Sequence, residues 1–378
     1  MTAPRKPKLL HVISGLGIGG AERSLLALVS GLADRFEFAV VNLSAGGGLR
    51  DDFVDAGARV FDCPMRPNPV GGWRGLRGAL AGYAPDLLQG WMSWGQLASG
   101  MLQRAGCSAP LIWSVRNDAE SMSIERWPGR QAVRLAGSGL FAPAIITYNS
   151  DAGRVSYGRR GFDRYPALVI PNGIDTLRFA PSCVAREALR KEARCVSDGL
   201  LVGYVGRDHS VKDLPTLIAA FARIGAAVPR VRFVMAGSGL EPGNVALADL
   251  IRRSGLTDRV TLLGAREDMA GLYPGLDLLV LSSRFEGFPN VLLEAMCCAV
   301  PCVSTRAGDA AEIIGACERV VAAGDAEKLA ASAVDVLTLP EKTRESLGAA
   351  SRRRIVERYG VERCVDAYAD LYLRMIER

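Results

Sequence analysis

The stretch that most constrains the fold of this 378-residue chain runs from Asp277 to Pro301. Leu278 to Leu281 is a short apolar run bounded by polar residues, which predicts a buried parallel strand. Ser282 to Pro289 contains Ser, Gly and Pro and predicts a loop, and Asn290 is the expected N-cap of a helix over Val291 to Val300. This order predicts a strand–loop–helix unit of an open α/β sheet.

Two acidic residues lie at the edge of this unit where ligands bind in such sheets. Glu286 follows the predicted strand, and Glu294 falls near the start of the predicted helix. A helix N-terminus attracts anions, and a carboxylate can accept two hydrogen bonds from a vicinal diol. A nucleotide-sugar offers both groups. The alternative is a pair of solvated surface acids, but Glu294 stands among apolar residues, where burial of an unpaired charge is costly.

The segment E-G-F-P-N-V-L-L-E-A-M, Glu286 to Met296, resembles the signature of the retaining glycosyltransferases of family 4. The resemblance implies the GT-B fold, an α/β architecture of two doubly wound Rossmann-like domains that face a cleft. It implies that Glu294 holds the ribose of the donor nucleotide and that Glu286 faces the transferred sugar. It also implies that the sugar and phosphate approach the backbone of Gly287, Phe288, Pro289 and Asn290.

A glycine-rich loop follows the first predicted strand, Lys8 to Ser14, and precedes an amphipathic helix. The loop satisfies G-x-G-x-x-G, so a nicotinamide dehydrogenase is an alternative. The second predicted strand, Phe38 to Leu43, ends without the acidic residue that such an enzyme uses to bind ribose, which disfavours this alternative. By resemblance, Gly19 and Gly20 belong to the family 4 loop whose backbone approaches the donor diphosphate.

Short apolar segments alternate with helical ones as far as Pro171, which predicts a parallel, doubly wound first domain. The motif P-N-G-I-D that begins at Pro171 resembles the point where family 4 chains enter their second domain. The predicted organisation is an acceptor-binding domain over 1–173, a nucleotide-sugar-binding domain over 174–355, and a C-terminal helical segment, 356–378, that crosses back to the first domain.

Two cations follow the predicted strand Leu200 to Val205. Arg207 and Lys212 stand in the pattern G-R-x-x-x-x-K, which matches the donor-diphosphate pair of the family. Arginine can bind phosphate as a bidentate fork and lysine as a point charge. His209, in the same loop, is expected to be a bystander.

The resemblance leaves the catalytic base open. Many family members carry a histidine near the position of Val115 to Asp118, but this chain has none there, so Asn117 or Asp118 is the candidate substitute. Arg266 is a candidate contact to the nucleotide base, because it follows a strand that matches the family pattern for that part of the pocket.

Composition predicts the redox state of the cysteines, the need for a metal or cofactor, and the cellular compartment. Nine cysteines without a C-x-x-C pair and only two histidines predict reduced thiols, no metal site and no cofactor beyond the nucleotide-sugar substrate. No apolar run approaches the ~20 residues that span a bilayer, and the N-terminus lacks a signal core, so we expect a cytoplasmic protein.

The positive charge is concentrated in the first half. Residues 1–175 contain 19 Lys and Arg against 14 Asp and Glu, a net charge of +5 out of the total of +6. This excess of positive charge predicts an anionic partner such as lipid phosphate; the alternative is that it belongs to an ordinary protein surface without such a partner. A nucleic-acid partner is not expected. The segment Arg66 to Ala84 carries Trp73, Arg74, Leu76 and Arg77 and predicts a basic amphipathic helix that lies on a membrane, or an ordinary surface helix.

The sequence therefore predicts a retaining, metal-independent glycosyltransferase. It is expected to move a hexose or N-acetylhexosamine from a nucleotide-sugar to a lipid-linked or cell-envelope polysaccharide acceptor such as a polyprenyl-linked glycan. The expected donor is a UDP-sugar. Two alternatives on the same fold are a nucleotide-sugar epimerase and a non-catalytic nucleotide-sugar-binding protein.

Overall fold

The structure, a computed structural model, describes residues 5–123 and 127–377. The chain divides into two compact units, residues 1–173 with 361–378, and residues 174–360. The second unit begins at the position expected from the P-N-G-I-D motif. The chain returns to the first unit at 361 rather than 356, because the helix Glu341–Tyr359 continues unbroken through position 356.

Within the described residues, the sheet of the first unit has seven strands: β1 (Lys8–Ile13), β2 (Glu37–Asn42), β3 (Arg59–Asp62), β4 (Leu87–Trp91), β5 (Leu111–Val115), β6 (Ile145–Tyr148) and β7 (Ala167–Val169). All pairs are parallel, in the order β3-β2-β1-β4-β5-β6-β7. The helices between them are α1 (Gly20–Leu32), α2 (Arg50–Asp55), α3 (Pro69–Tyr83), α4 (Met92–Arg104), α5 (Trp127–Ala136) and α6 (Asp151–Gly158), with 3₁₀ turns at Ala119–Ser123 and Phe162–Arg164.

In residues 174–360, all of which are described, six strands form the second sheet: β8 (Leu200–Val205), β9 (Val231–Ala236), β10 (Val260–Gly264), β11 (Leu278–Leu281), β12 (Cys302–Thr305) and β13 (Val320–Val321). They are parallel, in the order β10-β9-β8-β11-β12-β13. The helices are α7 (Cys183–Glu192), α8 (Leu214–Ala227), α9 (Val245–Arg253), α10 (Asn290–Cys297), α11 (Ala310–Ile314), α12 (Ala326–Leu337) and α13 (Glu341–Tyr359). Short 3₁₀ turns lie at Ser210–Lys212, Tyr273–Gly275 and Cys317–Arg319.

The last helix, α14 (Val361–Ile376), is part of the core of the first unit. Tyr368 and Tyr372 are fully buried on it, and the Tyr372 hydroxyl donates a 2.7 Å hydrogen bond to Gln89 Oε1. The buried Arg116 donates to the Tyr368 hydroxyl at 3.2 Å and to Asn172 Oδ1 at 2.6 Å. This polar network ties the C-terminal helix to the end of β5 and to the segment just before the second unit.

Both sheets reverse their strand order next to their first strand, between β1 and β4 in the first unit and between β8 and β11 in the second. Their central strands are buried along nearly their whole length, because helices cover both faces of a parallel sheet. In folds of this kind ligands bind outside the carboxyl ends of the strands at the point of reversal. The loops after β8 and β11 are therefore the first place to look for a site in the second unit.

Helix α3 corrects one detail of the membrane expectation. Leu76, expected to enter a membrane interface with Trp73, is fully buried, because this face of α3 packs against the first sheet. Arg74 and Arg77 are exposed on the other side. No helix in the described ranges combines the length and the apolar character that crossing a membrane requires.

Candidate functional site

The strand–loop–helix unit forms much as its sequence predicts, with a correction at each end of the helix. The helix ends at Cys297 rather than at Val300, because Ala299 has φ +61°, outside the helical region. All four residues of β11 are buried, and the following loop leads directly into α10. The helix begins at Asn290 itself, and Pro289 occupies the N-cap position that the sequence pattern gave to Asn290. Pro289 has no side-chain group that could accept a hydrogen bond from the first turn, and the structure shows no side-chain cap at this helix start. Glu294 consequently lies just past the first turn of α10.

Glu286 and Lys212 form an ion pair across the point of strand reversal. Lys212 Nζ donates to Glu286 Oε1, and Ser283 Oγ donates to the same oxygen at 2.7 Å. The two charged side chains are only 15% and 14% exposed, so solvent screens their attraction less than at an open surface. The structure thus brings together an acid and a base that the sequence had placed in separate loops, 74 residues apart.

Three further hydrogen bonds join the loop after β8 to the loop after β11. Ser282 Oγ donates to the Lys212 carbonyl at 2.8 Å, and the Arg284 backbone N–H donates to the Val211 carbonyl at 2.7 Å. Asp213, only 5% exposed, accepts from Arg284 Nε at 2.8 Å and caps α8. The sequence analysis did not single out Asp213, although an Asp directly before Leu-Pro at a helix start is a recognisable N-cap signal. Asp213 holds the turn that presents Lys212.

The carboxylate of Glu294 is held by a buried tyrosine. Tyr273, in the turn Tyr273–Gly275, is fully buried and donates a 2.5 Å hydrogen bond from its hydroxyl to Glu294 Oε2. Burial, followed by the negative charge of Glu294, raises the pKa of Tyr273 well above its ordinary value, so the hydroxyl remains a donor. Sequence reasoning missed Tyr273, because nothing in the local pattern connects it to an acid 21 residues later.

The backbone of Gly287 is positioned by the loop that follows β12. Gly308 has φ +56° and lies so close to this backbone that an added Cβ would meet the Gly287 carbonyl oxygen at 2.3 Å. Only glycine fits this approach without a shift of the chain. Gly287, Phe288 and Pro289 are buried, so the segment that the resemblance places beside sugar and phosphate is rigidly supported.

The remaining predicted residues of the second unit differ in their surroundings. Arg207 is exposed and forms no ion pair within residues 5–123 and 127–377, so its charge is available to an anion. Arg266 follows the edge strand β10, and its Nη1 donates to Glu192 Oε2 on α7 at 2.8 Å. Its guanidinium is therefore not directed at Glu286 or Glu294. His209 accepts from the Val211 backbone N–H at 3.3 Å and caps the turn Ser210–Lys212.

The predicted residues of the first unit lie at the carboxyl ends of β1 and β5. Gly19 occupies the N-cap position of α1, and Gly20 is its first residue. The Glu22 carboxylate lies against Gly19, and burial raises the pKa of Glu22. Asn117 Oδ1 accepts a 2.8 Å hydrogen bond from the Tyr157 hydroxyl.

Asp118, the alternative to Asn117, supports a local turn. Its Oδ1 accepts from the Glu120 backbone N–H at 2.8 Å. Both candidate substitutes for the family histidine are thus engaged in bonds that stabilise the chain after β5. In the part of the chain that the structure describes, no group of three or more His, Cys, Asp or Glu side chains is arranged to hold a metal ion.

Comparison with known protein families gives two matches that together span most of the chain. The model described as "Glycosyl transferase 4-like domain" matches residues 19–173, and the model described as "Glycosyl transferases group 1" matches residues 199–338. The first lies within the first unit and the second within the second unit.

Curated relatives agree with these matches. The chain is 26% identical over 311 residues to the putative glycosyltransferase EpsF of Bacillus subtilis, covering 78% of each protein. It is 30% identical over 300 residues to the MMP alpha-(1->4)-mannosyltransferase of Mycolicibacterium hassiacum, covering 75% of this chain and 69% of that protein. It is 30% identical over 217 residues to the lipopolysaccharide core biosynthesis mannosyltransferase LpsB of Rhizobium meliloti, covering 55% of this chain and 60% of that protein.

A solved structure has the same fold over nearly the whole chain. The Anabaena protein HepE, crystallised in complex with UDP-glucose, superimposes with a TM-score of 0.83 at 23% identity, covering 96% of this chain and 98% of that one. The two parallel sheets, the acid pair of the strand–loop–helix unit, the family matches and these relatives lead to one assignment. The chain belongs to the group 1, or family 4, glycosyltransferases and has the GT-B fold.

Proposed function

We propose that this glycosyltransferase moves a hexose or N-acetylhexosamine from a UDP-sugar, with retention of anomeric configuration and without a metal ion. The observation that carries the proposal is the cluster at the strand reversal of the second unit. There the Lys212–Glu286 pair lies on the loops after β8 and β11, and Tyr273 holds Glu294 on the next helix. The cluster offers a cation for a diphosphate and two carboxylates for hydroxyl groups.

Nucleotide binding would use Glu294 as the acceptor for the ribose hydroxyls. Because Tyr273 already orients one carboxylate oxygen, the acid would lose little conformational freedom when a nucleotide binds. The UDP-glucose complex of HepE supports a uridine nucleotide. Arg266, which is paired with Glu192, is not needed for this arrangement.

Transfer would break the bond between the anomeric carbon and a β-phosphate oxygen of the donor. The acceptor hydroxyl would attack the same face of the sugar, and its proton would pass to the departing phosphate. Arg207 and Lys212 would stabilise the negative charge that develops on that phosphate. A charge-assisted hydrogen bond contributes ~1.5–3 kcal/mol, so loss of either cation should cost about a factor of ten or more.

Glu286 would orient the transferred sugar. Both of its hydrogen bonds to described residues use Oε1, so Oε2 would be the oxygen that accepts from sugar hydroxyls. The pair with Lys212 fixes the carboxylate before the donor arrives. The backbone amides of Gly19 and Gly20, at the start of α1, are proposed to assist at the diphosphate.

The proposed acceptor is a lipid-linked or cell-envelope saccharide that binds through the first unit. The relative LpsB is named for lipopolysaccharide core biosynthesis, which supports an envelope acceptor. We also propose reversible contact with an anionic membrane on the cytoplasmic side. Because the apolar side of α3 is packed inward, this contact would depend on exposed cations such as Arg74 and Arg77.

A panel of nucleotide-sugars tests the reaction class. The purified protein is incubated with UDP-, GDP- and ADP-sugars, with and without a chelator, and nucleoside diphosphate release and the anomeric configuration of the product are followed by NMR. Release of UDP that survives chelation, with a product of retained configuration, is expected. An epimerised donor without release would indicate an epimerase, and saturable binding without turnover would indicate a non-catalytic protein.

Arg207 supplies a matched pair of variants for the same assay. Arg207→Ala should lower kcat at least ten-fold. Arg223→Ala removes an equally exposed arginine from α8, away from the site, and should leave kcat unchanged. Equal activity of the two variants would exclude Arg207 as a diphosphate ligand.

A further inference from the structure

The first unit contains a large cavity that none of the residues proposed to bind the donor lines. Its volume is about 810 Å³, within the ~300–1,000 Å³ typical of small-molecule sites. Its lining includes residues from the loops after three neighbouring strands: Ser14 directly after β1, Leu43 directly after β2, and Met65 three residues after β3. The cavity therefore lies at the carboxyl edge of the first sheet, beside the strand reversal between β1 and β4, where an α/β sheet binds ligands.

One wall of the cavity is an apolar stripe on α4. Trp94, Leu97, Ala98 and Met101 follow the i, i+3, i+4, i+7 spacing of a single helix face, and all four line the cavity. Trp94 and Met101 remain 41% and 43% exposed. Such a stripe on a globular helix normally packs against a neighbouring element, but here it faces the open cavity.

The lining suits hydrocarbon rather than sugar. Apart from Ser14, Ser44 and Arg66, the lining side chains that the structure describes are apolar, and Trp73 of α3 closes another part of the wall. A saccharide placed here would bury several hydroxyl groups with few partners, and an unpaired buried hydroxyl is costly. A hydrocarbon chain would lose no hydrogen bonds and would gain from the removal of apolar surface from water.

The charge at the rim specifies what the hydrocarbon is attached to. Arg66 is exposed, lines the cavity, and has no ion pair to any residue that the structure describes. Among the residues that the structure describes, no acidic side chain lines the cavity. A guanidinium at the mouth of an apolar cavity complements a phosphate, to which arginine can bind as a bidentate fork.

We propose that this cavity binds the hydrocarbon units nearest the phosphate of a lipid-phosphate acceptor, with the phosphate at Arg66 and the chain along the α4 stripe. The identification of this lipid phosphate as the acceptor substrate rests on the proposed function. The binding of a phosphorylated hydrocarbon follows from the cavity itself.

A chain-length series tests the proposal. Hexyl, octyl and decyl phosphate are titrated below their micelle concentrations, and binding is followed by calorimetry and by the fluorescence of Trp73 and Trp94, which line the cavity. Affinity should rise about four-fold for each added methylene that is buried. Inorganic phosphate should not compete at similar concentrations, and decanol should bind more weakly than decyl phosphate.

Matched variants locate the binding. Met101→Asp introduces a carboxylate into the stripe and should weaken decyl phosphate at least ten-fold. Val155→Asp makes the same kind of change at a similarly exposed residue of α6 that does not line the cavity, and should have no effect. Arg66→Gln should remove the preference for decyl phosphate over decanol, whereas Arg77→Gln should preserve it.

The outcomes separate this inference from the proposed function. A flat dependence on chain length, or equal affinities of Met101→Asp and Val155→Asp, would overturn the inference even if UDP-sugar turnover is normal. Chain-length-dependent binding without any UDP-sugar turnover would support the cavity as a lipid-phosphate site and reject its description as an acceptor site. UDP affinity, measured in every variant, should equal that of the parent, since none of the residues proposed to bind UDP lines the cavity.

Discussion

Tyr273→Phe is the change that most directly examines the ribose-binding role of Glu294. It removes one hydroxyl, which donates to Glu294 Oε2 at 2.5 Å, and keeps the ring that packs in the core 6.1 Å from the ring of Phe179. We expect weaker nucleotide binding even though Tyr273 is fully buried and its ring is retained. The effect would act entirely through the orientation of the carboxylate.

Two magnitudes follow from this geometry. Ordering a flexible side chain on binding costs ~0.5–1.5 kcal/mol, so a Glu294 carboxylate that is less firmly oriented should weaken UDP binding by about two- to twelve-fold. A hydrogen bond to a charged group contributes ~1.5–3 kcal/mol to stability. Because Glu294 is half-buried and can regain some water, we expect a loss of unfolding free energy near the lower end of that range.

The assay is calorimetric titration with UDP, together with denaturant unfolding of each variant. Tyr83→Phe is the matched control, because the Tyr83 hydroxyl is also buried and has no hydrogen-bond partner among the described residues, and Tyr83 lies at the end of α3 in the first unit. It should leave UDP affinity unchanged. In a Glu294→Gln background, which should itself weaken UDP and UDP-sugar alike, Tyr273→Phe should add little. Equal UDP affinity of parent and folded Tyr273→Phe would refute the reasoning.

Three further predictions concern other parts of the chain. Lys212→Ala and Glu286→Gln should each lower kcat ten-fold or more. Because the two side chains contact each other, the double variant should lose less activity than the product of the two single losses. Fully multiplicative losses would argue against a functional pair. Burial lowers the pKa of His11 to about 3, against 6.5 in the unfolded chain, so between these values the unfolded state binds one proton more than the folded state. The free energy of unfolding should therefore fall as the pH drops from 6.5 towards 3, by up to ~1.4 kcal/mol per pH unit. In denaturant titrations His11→Asn should remove this part of the pH dependence, and an unchanged slope would contradict the assignment. The protein should float with anionic liposomes at low salt and be released at high salt. The double variant Arg74→Glu, Arg77→Glu should float less, since each cation near the surface contributes ~1 kcal/mol. Equal recovery of the protein with neutral and anionic liposomes would reject electrostatic contact.

The order of elements around the proposed donor site could be predicted because it depends on local patterns. The strands β8 and β11 have the bounds that their apolar runs indicate. Shorter elements were missed: β12 and β13 follow Pro301 and the turn Cys317–Arg319, and neither is long enough to show a periodic pattern. The start of α10 was misplaced by one residue because an N-cap preference in the sequence defines a helix start only to within a residue or two.

The sequence by itself determined two α/β units, the edge of the sheet where the acids and cations stand, and the family to which they belong. These properties depend on hydrophobic periodicity and on motifs within a few residues of one another. Only the tertiary structure decided which side chains meet: Lys212 with Glu286, Tyr273 with Glu294, and Arg266 with Glu192 rather than with the other predicted site residues. The cavity of the first unit likewise exists only once loops from three strands and the face of α4 come together. Such contacts depend on strand order and on the packing of loops at one sheet edge, which bring together residues that are far apart in the chain and that no local pattern connects.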